Sequence, residues 1–216
     1  MVATRQRSDI SFHPILKGAA KLISYIFHPL FIPLYIGLFF IYVLRLFPEL
    51  DDWNKTKIVL SFFVNYTLLP MVTVLLAKGL GFVDSVFLKT QKDRIIPFVA
   101  TGVFYFWAWY VFKNNGYPKP VVLFSLAVFL ASSAGLIANS YFKVSMHAIS
   151  AGVVMMLMIL MGVNSSSNIG FYISLIFLFC GMVCTSRLIT AEHHPFEVYA
   201  GLFIGVLAQL ISYFFV

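Results

Sequence analysis

Charge is what this sequence has least of. Asp and Glu total 8 and Lys and Arg 15, and together they make up 11% of 216 residues. A soluble domain has about a quarter of its residues charged, so a water-soluble globule is excluded. The same shortage excludes a disordered chain and a free-standing nucleic-acid binder. Cysteine is nearly absent. Cys180 and Cys184 lie one helical turn apart in an apolar run, too few for a metal site and best read as small packing residues. Also missing are an internal repeat, a low-complexity segment and a cleavable signal pattern. The apolar stretch after the basic opening is too long for a signal peptide, and no small-residue cleavage site follows it.

What is present is apolar. Hydrophobic residues make up 61% of the chain, with Phe at 24 positions, and this predicts an all-α, polytopic transmembrane helix bundle. The length holds six to seven spans of about 20 residues and no separate soluble domain. A polar tail occupies residues 1–21, two N-terminal spans 22–80 and a core 81–216, all within one membrane domain. The first span is expected from Leu22 to Phe47, kinked at Pro29 and Pro33, and a polar turn, Pro48 to Lys57, ends it. The others are expected near Ile58–Leu80, from Ile95 to before Lys113, and over Val121–Phe142, Ala148–Val163, Ile169–Thr185 and Pro195 to the C-terminus. The turn Asn164–Asn168 separates the fifth from the sixth.

Seven spans alternate between two membrane faces, which sorts the polar residues. The face of the N-terminus receives the loops Gly81–Arg94, Lys143–His147 and Ser186–His194. Nearly all the chemistry-bearing residues fall there: Lys89, Arg94, Lys143, Ser145, His147, Arg187, Glu192, His193, His194 and Glu197. Taken singly, each reads as a snorkelling or capping residue. Ionisable groups near a bilayer are costly, however, so their convergence in three same-side loops marks a site. Spans three, five and seven also start on that face, aiming positive dipole ends at it. With Arg94 and Arg187 beside them, the expected ligand is a phosphate or another compact anion.

The segment Ser186-Arg187-Leu-Ile-Thr-Ala-Glu192-His193-His194-Pro195-Phe-Glu197-Val-Tyr-Ala-Gly201 resembles the third signature of the type 2 phosphatidic acid phosphatase (PAP2) superfamily. That signature is Ser-Arg, five residues, His, three residues, Asp. Every spacing matches, and Glu197 stands where the family has Asp. Val144-Ser145-Met146-His147 is a looser match to the second signature, Pro-Ser-Gly-His. Lys89 to Pro97 is an irregular match to the first, Lys, six residues, Arg-Pro: the Lys sits too close to Arg94 and the Pro comes two residues late. The resemblance covers about Lys89 to Gly205.

The resemblance implies a membrane-embedded lipid phosphatase with a phosphohistidine intermediate. His193 would take the phosphoryl group, Glu197 would orient its ring, and His147 would protonate the departing alcohol. Arg187, Arg94, Ser145 and Lys89 would hold the phosphate oxygens, with Lys92 or Lys143 as substitutes for Lys89. The residue types fit this chemistry independently: phosphoester cleavage needs a nucleophile, a proton donor and positive groups on the equatorial oxygens. Glu197, four residues after His193 on a helix, shares its face. Being one methylene longer than Asp, it is expected to need another rotamer and to pair more weakly.

No metal and no cofactor are expected. The expected substrate is a lipid phosphate or polyprenyl diphosphate, its tail lying among the helices in contact with membrane lipids. Glu192 and His194 read as loop neighbours, and His13 and His28 as interfacial or structural. The sequence leaves the oligomeric state open. The alternative function is a catalytically impaired lipid-phosphate binder or transporter, favoured by the irregular first and second motifs. Ten Lys and Arg fall on the site face against five on the other, which places the N-terminus inside by the positive-inside rule. Without the four candidate ligands Lys89, Arg94, Lys143 and Arg187 the count is six against five, so the preference is slight. The expected location is a bacterial inner or plasma membrane.

Overall fold

The structure, a computed structural model, describes residues 12–88, 90–164 and 169–216. Lys89 and the turn residues 165–168 lie outside the described residues, as do Arg5 and Arg7 of the basic tail. Among those described the fold is all helix. Its elements are α1 (Pro14–Ile26), α2 (Ile32–Leu38), α3 (Asp52–Phe63), α4 (Leu69–Gly79), α5 (Gln91–Asn114), α6 (Lys119–Tyr141), α7 (Met146–Asn164), α8 (Gly170–Ile189) and α9 (Pro195–Phe215). Wide π turns, Phe39–Val43 and Val64–Leu68, extend α2 and join α3 to α4. Six stretches are long and apolar enough to cross a bilayer: α3 with α4, and each of α5 to α9. The chain is a multi-pass membrane protein.

The expected first span is corrected. Leu22 to Phe47 is not one kinked helix: α1 stops at Ile26 and α2 restarts at Ile32. Pro29 has no N–H to continue the ladder and disfavours helical backbone at His28, while Pro33 suits the first turn of a new helix. The two pieces go different ways. α1 starts inside the expected polar tail, presents Ile15, Leu22 and Tyr25 outward, and buries Ala20 and Ser24 towards α8. α2 and its π turn, Ile32–Val43, are too short to count as a full span. The chain still traverses the bundle there, because His28 touches His147 at one end and Phe47 touches Tyr117 at the other. The alternation of faces survives the loss of the long helix.

The polar turn Pro48–Lys57 is also shorter than expected. Asp51 accepts from the Asn54 N–H at 3.0 Å, which caps α3 and starts the helix at Asp52 inside that turn. The π turn Val64–Leu68 ends just before Pro70, whose missing N–H would otherwise break the regular ladder.

The bundle is built on glycine. A Cβ on Gly205 would lie 2.0 Å from the Ile149 carbonyl oxygen, and one on Gly152 would lie 2.2 Å from that of Leu202. The backbones of α7 and α9 therefore touch, as small residues permit in membrane bundles where lipid tails are as apolar as leucine. Gly201 continues the contact at the end of the bundle, its absent Cβ 2.8 Å from the Ser145 carbonyl oxygen. Ring pairs fix α3 and its π turn to α5, Phe62 on Phe112 at 5.2 Å and Tyr66 on Tyr105 at 5.1 Å, and Phe112 stacks on Tyr117 in the turn after α5 at 4.7 Å between centroids.

These contacts predict opposite outcomes for two glycines. Gly205→Ala must push backbone from backbone and is expected to cost about 2–3 kcal/mol, read as a fall in the unfolding midpoint in detergent. Gly181→Ala on α8 meets nothing within 4 Å and is expected to leave that midpoint unchanged or raise it slightly. Equal midpoints for the two variants would contradict the close α7–α9 contact.

Candidate active site

The loop before α7 and the start of α9 meet because of the glycine contact. Their junction is Glu197. Its main-chain carbonyl accepts from the Ser145 N–H at 3.2 Å, tying the second motif to the third. Its carboxylate accepts from His193 Nδ1 at 2.9 Å and from the His194 N–H at 3.1 Å. The expected weak pairing is corrected: the longer side chain reaches the imidazole at an ordinary hydrogen-bond distance and also caps α9.

This arrangement fixes the tautomer of His193. Nδ1 faces two acceptors, the Glu197 carboxylate and the Lys143 carbonyl at 3.2 Å, so it carries the proton in the neutral ring. The lone pair is left on Nε2. Burial pushes the His193 pKa down to about 4, and the cations Arg94 and Arg187 push the same way, while Glu197 opposes them. The ring is therefore neutral and nucleophilic near pH 7.

The two arginines are buried and differently engaged. Arg94 donates from Nε to the Leu88 carbonyl at 2.9 Å and from Nη1 to the Val144 carbonyl at 2.8 Å. It thereby pins two loops to the head of α5, and the rest of its fork remains for an anion. Arg187 pairs through Nη2 with the Glu192 carboxylate, and its buried Nε has no hydrogen-bond partner among the described residues. Lys143 donates to the Glu192 main-chain carbonyl at 3.3 Å. Its pKa is lowered, chiefly by burial and then by Arg94. Of the expected phosphate ligands, the structure brings Arg94, Arg187, Ser145 and Lys143 together, and Lys89 falls outside the described residues.

His147 opens α7 and is buried. Its Nε2 donates to the Ser24 carbonyl of α1 at 3.0 Å, which leaves Nδ1 without a hydrogen bond among the described residues. Arg187, His28 and His193 are its charged or titratable neighbours. The expected set of three open helix ends is corrected. Thr90 accepts from the Asp93 N–H at α5 and Glu197 from the His194 N–H at α9. At α7, Ser145 Oγ takes the Ala148 N–H at only 3.4 Å, and the Met146 and His147 N–H groups have no partner among the described residues.

Three residues take parts that the sequence did not assign to them. Ser24 holds His147 through its carbonyl and meets Ser186, next to Arg187, at 3.1 Å between hydroxyl oxygens. His28, expected to be interfacial or structural, stands edge-on to His147 with centroids 5.2 Å apart. Burial, then the Arg187 charge, pushes its pKa down to about 4. Glu192, read as a loop neighbour, pairs with Arg187. Charge spacing carried a signal for Glu192 alone, five residues after an arginine.

No family model, curated protein or solved structure matches the chain. The reading of the site therefore stands on its geometry.

The titration of His193 tests that geometry. Its midpoint, followed by NMR of labelled histidine in detergent micelles, is expected near 4 rather than the ordinary 6.5. Glu197→Gln, which removes the stabilising carboxylate, is expected to lower it further. Between pH 6.5 and 4 the unfolded chain takes up a proton at this position that the folded chain does not, so stability falls on acidification through that window. A midpoint at or above 6.5 would contradict the buried, arginine-flanked placement.

Proposed function

We propose that the protein is a metal-independent lipid phosphatase of the PAP2 type, acting on a lipid phosphate or polyprenyl diphosphate in a bacterial inner or plasma membrane. The observation that carries this reading is the His193 tautomer: Nδ1–H is held by Glu197, so the Nε2 lone pair stands ready among buried cations. In the first step Nε2 attacks phosphorus and the bond to the leaving oxygen breaks. That oxygen takes a proton from His147 Nδ1, which acquires it from the phosphate monoanion on binding, while Nε2 stays on the Ser24 carbonyl. In the second step water attacks the phosphohistidine, the P–N bond breaks, and His147 Nδ1 accepts the water proton. His193 recovers its lone pair, and inorganic phosphate leaves. Arg94, Arg187, Lys143 and the N–H groups at the head of α7 balance charge on the equatorial oxygens.

The second reading, a lipid-phosphate binder or transporter without turnover, is favoured by one specific observation. Arg187 Nη2 is already paired with the Glu192 carboxylate, which competes with an arriving phosphate for that guanidinium. A phosphate-release assay on the purified protein, with short-chain phosphatidic acid and a prenyl diphosphate, separates the two.

His193→Gln is expected to reduce release to background with an unchanged unfolding midpoint. Glu197→Gln, which still accepts a hydrogen bond but carries no charge, is expected to lower kcat by about a hundredfold with a smaller effect on KM. Full activity in His193→Gln would remove the phosphohistidine scheme. Binding without release across all substrates by the unaltered protein would establish the second reading.

A further inference from the structure

Beneath His147 lies a partly open cavity of about 370 Å³ lined by α2, α7 and α8. Its walls are apolar, formed by Ile36 and Phe39 on α2, Val154 and Met158 on α7, and Ile176 and Phe179 on α8. The polar side chains on the wall are mostly satisfied within the protein. The Tyr35 hydroxyl donates to the Ile26 carbonyl at 3.1 Å, and Ser150 donates to the His147 carbonyl at 2.9 Å. Cys180 Sγ lies 3.3 Å from the Ala151 carbonyl. At the upper end, His147 keeps Nδ1 without a hydrogen bond among the described residues. The cavity therefore asks for an apolar guest with a polar end at His147.

Shape narrows the guest. From His147 down to Met158, eleven steps along α7, the helix rises about 16.5 Å at about 1.5 Å per step. A volume of about 370 Å³ sits near the low end of the roughly 300–1,000 Å³ usual for small-ligand sites, so the space is deep and slender. Left empty, a void of this size forfeits dispersion contacts along its whole lining. The broken first span makes the cavity possible: α2 with its π turn is short, and no continuous helix fills the groove between α7 and α8.

We propose that this cavity binds one hydrocarbon chain, alkyl or prenyl, of the phosphorylated substrate, with the phosphate at His147 and His193. The phosphatase reading supplies the headgroup; the cavity supplies the tail and limits it to a single chain. A second acyl chain of the same lipid has to remain in the bilayer. Single-chain phosphates such as dodecyl or farnesyl phosphate are accordingly the preferred class over diacyl phosphatidic acids.

The direct test is photo-crosslinking of the full chain in detergent, using dodecyl phosphate with a diazirine at the chain end. The label is expected at the deep end of the cavity, on Phe39, Met158, Tyr172 or Ile176, and unmodified dodecyl phosphate competes it away. Val154→Trp, which plugs the cavity halfway, is expected to abolish that labelling and to raise KM for dodecyl phosphate about tenfold, leaving hexyl phosphate unchanged. Wild-type labelling does not depend on how the variant folds. Label on lipid-facing positions such as Leu60 and Leu75 would overturn the proposal, whether or not phosphate is released. Turnover of diacyl phosphatidic acid equal to that of dodecyl phosphate would overturn the single-chain limit. Label in the cavity with no phosphate release would uphold the chain site and remove the hydrolytic reading alone.

Discussion

The contact between the backbones of α7 and α9 is the constraint on which the rest depends. Gly152, Gly201 and Gly205 let the two helices touch along their length. Any side chain at these positions would separate them by ångströms, and the separation would be felt at the bundle end. There Ser145 N–H meets the Glu197 carbonyl, and His193 Nδ1 meets the Lys143 carbonyl from the loop before α7. The proposed reaction, with an anion held between two imidazoles and two guanidiniums, needs sub-ångström placement. Here that placement comes from main chain packed on main chain, which is stiffer than side-chain packing.

Electrostatics follows from the same closeness. Arg94 and Arg187 are buried within reach of His193, and each uses part of its fork on the protein itself. Their charges suppress protonation of His193, while Glu197 keeps its remaining proton on Nδ1. One set of charges thus favours an incoming anion and keeps the His193 ring neutral. Glu192 offsets the Arg187 charge at the rim, which limits the cost of holding two cations near a bilayer without a bound anion.

Much of this was legible in the sequence, and the remainder was hidden for definite reasons. The charge shortage and apolar runs predict the all-helical membrane bundle, and the six long helices agree with them. The pairing of His193 with Glu197 is local, at helical i,i+4 spacing, so its geometry could be read from the chain. The role of Pro29 could not. Whether a proline kinks a span or ends it depends on what its neighbours offer the freed carbonyls, and here α1 prefers the side of α8. The Ser24 carbonyl under His147 spans 123 residues of separation and involves no side chain at all, so residue type gave no sign of it. The π turn before Pro70 and the cavity beside α2 are likewise consequences of packing. Lys89, the irregular member of the first motif, lies outside the described residues, and the nearby cation Lys143 supplies charge at the site.

The central claim is that His193 Nε2 becomes bonded to phosphorus. Its most direct measurement is mass-spectrometric mapping of the phosphorylated protein, quenched during turnover of a lipid phosphate under conditions that preserve phosphohistidine. The account predicts an acid-labile phosphate on His193, borne on Nε2 and absent from the His193→Gln protein. Steady release of phosphate with no label on His193, or with label on another residue, would contradict it.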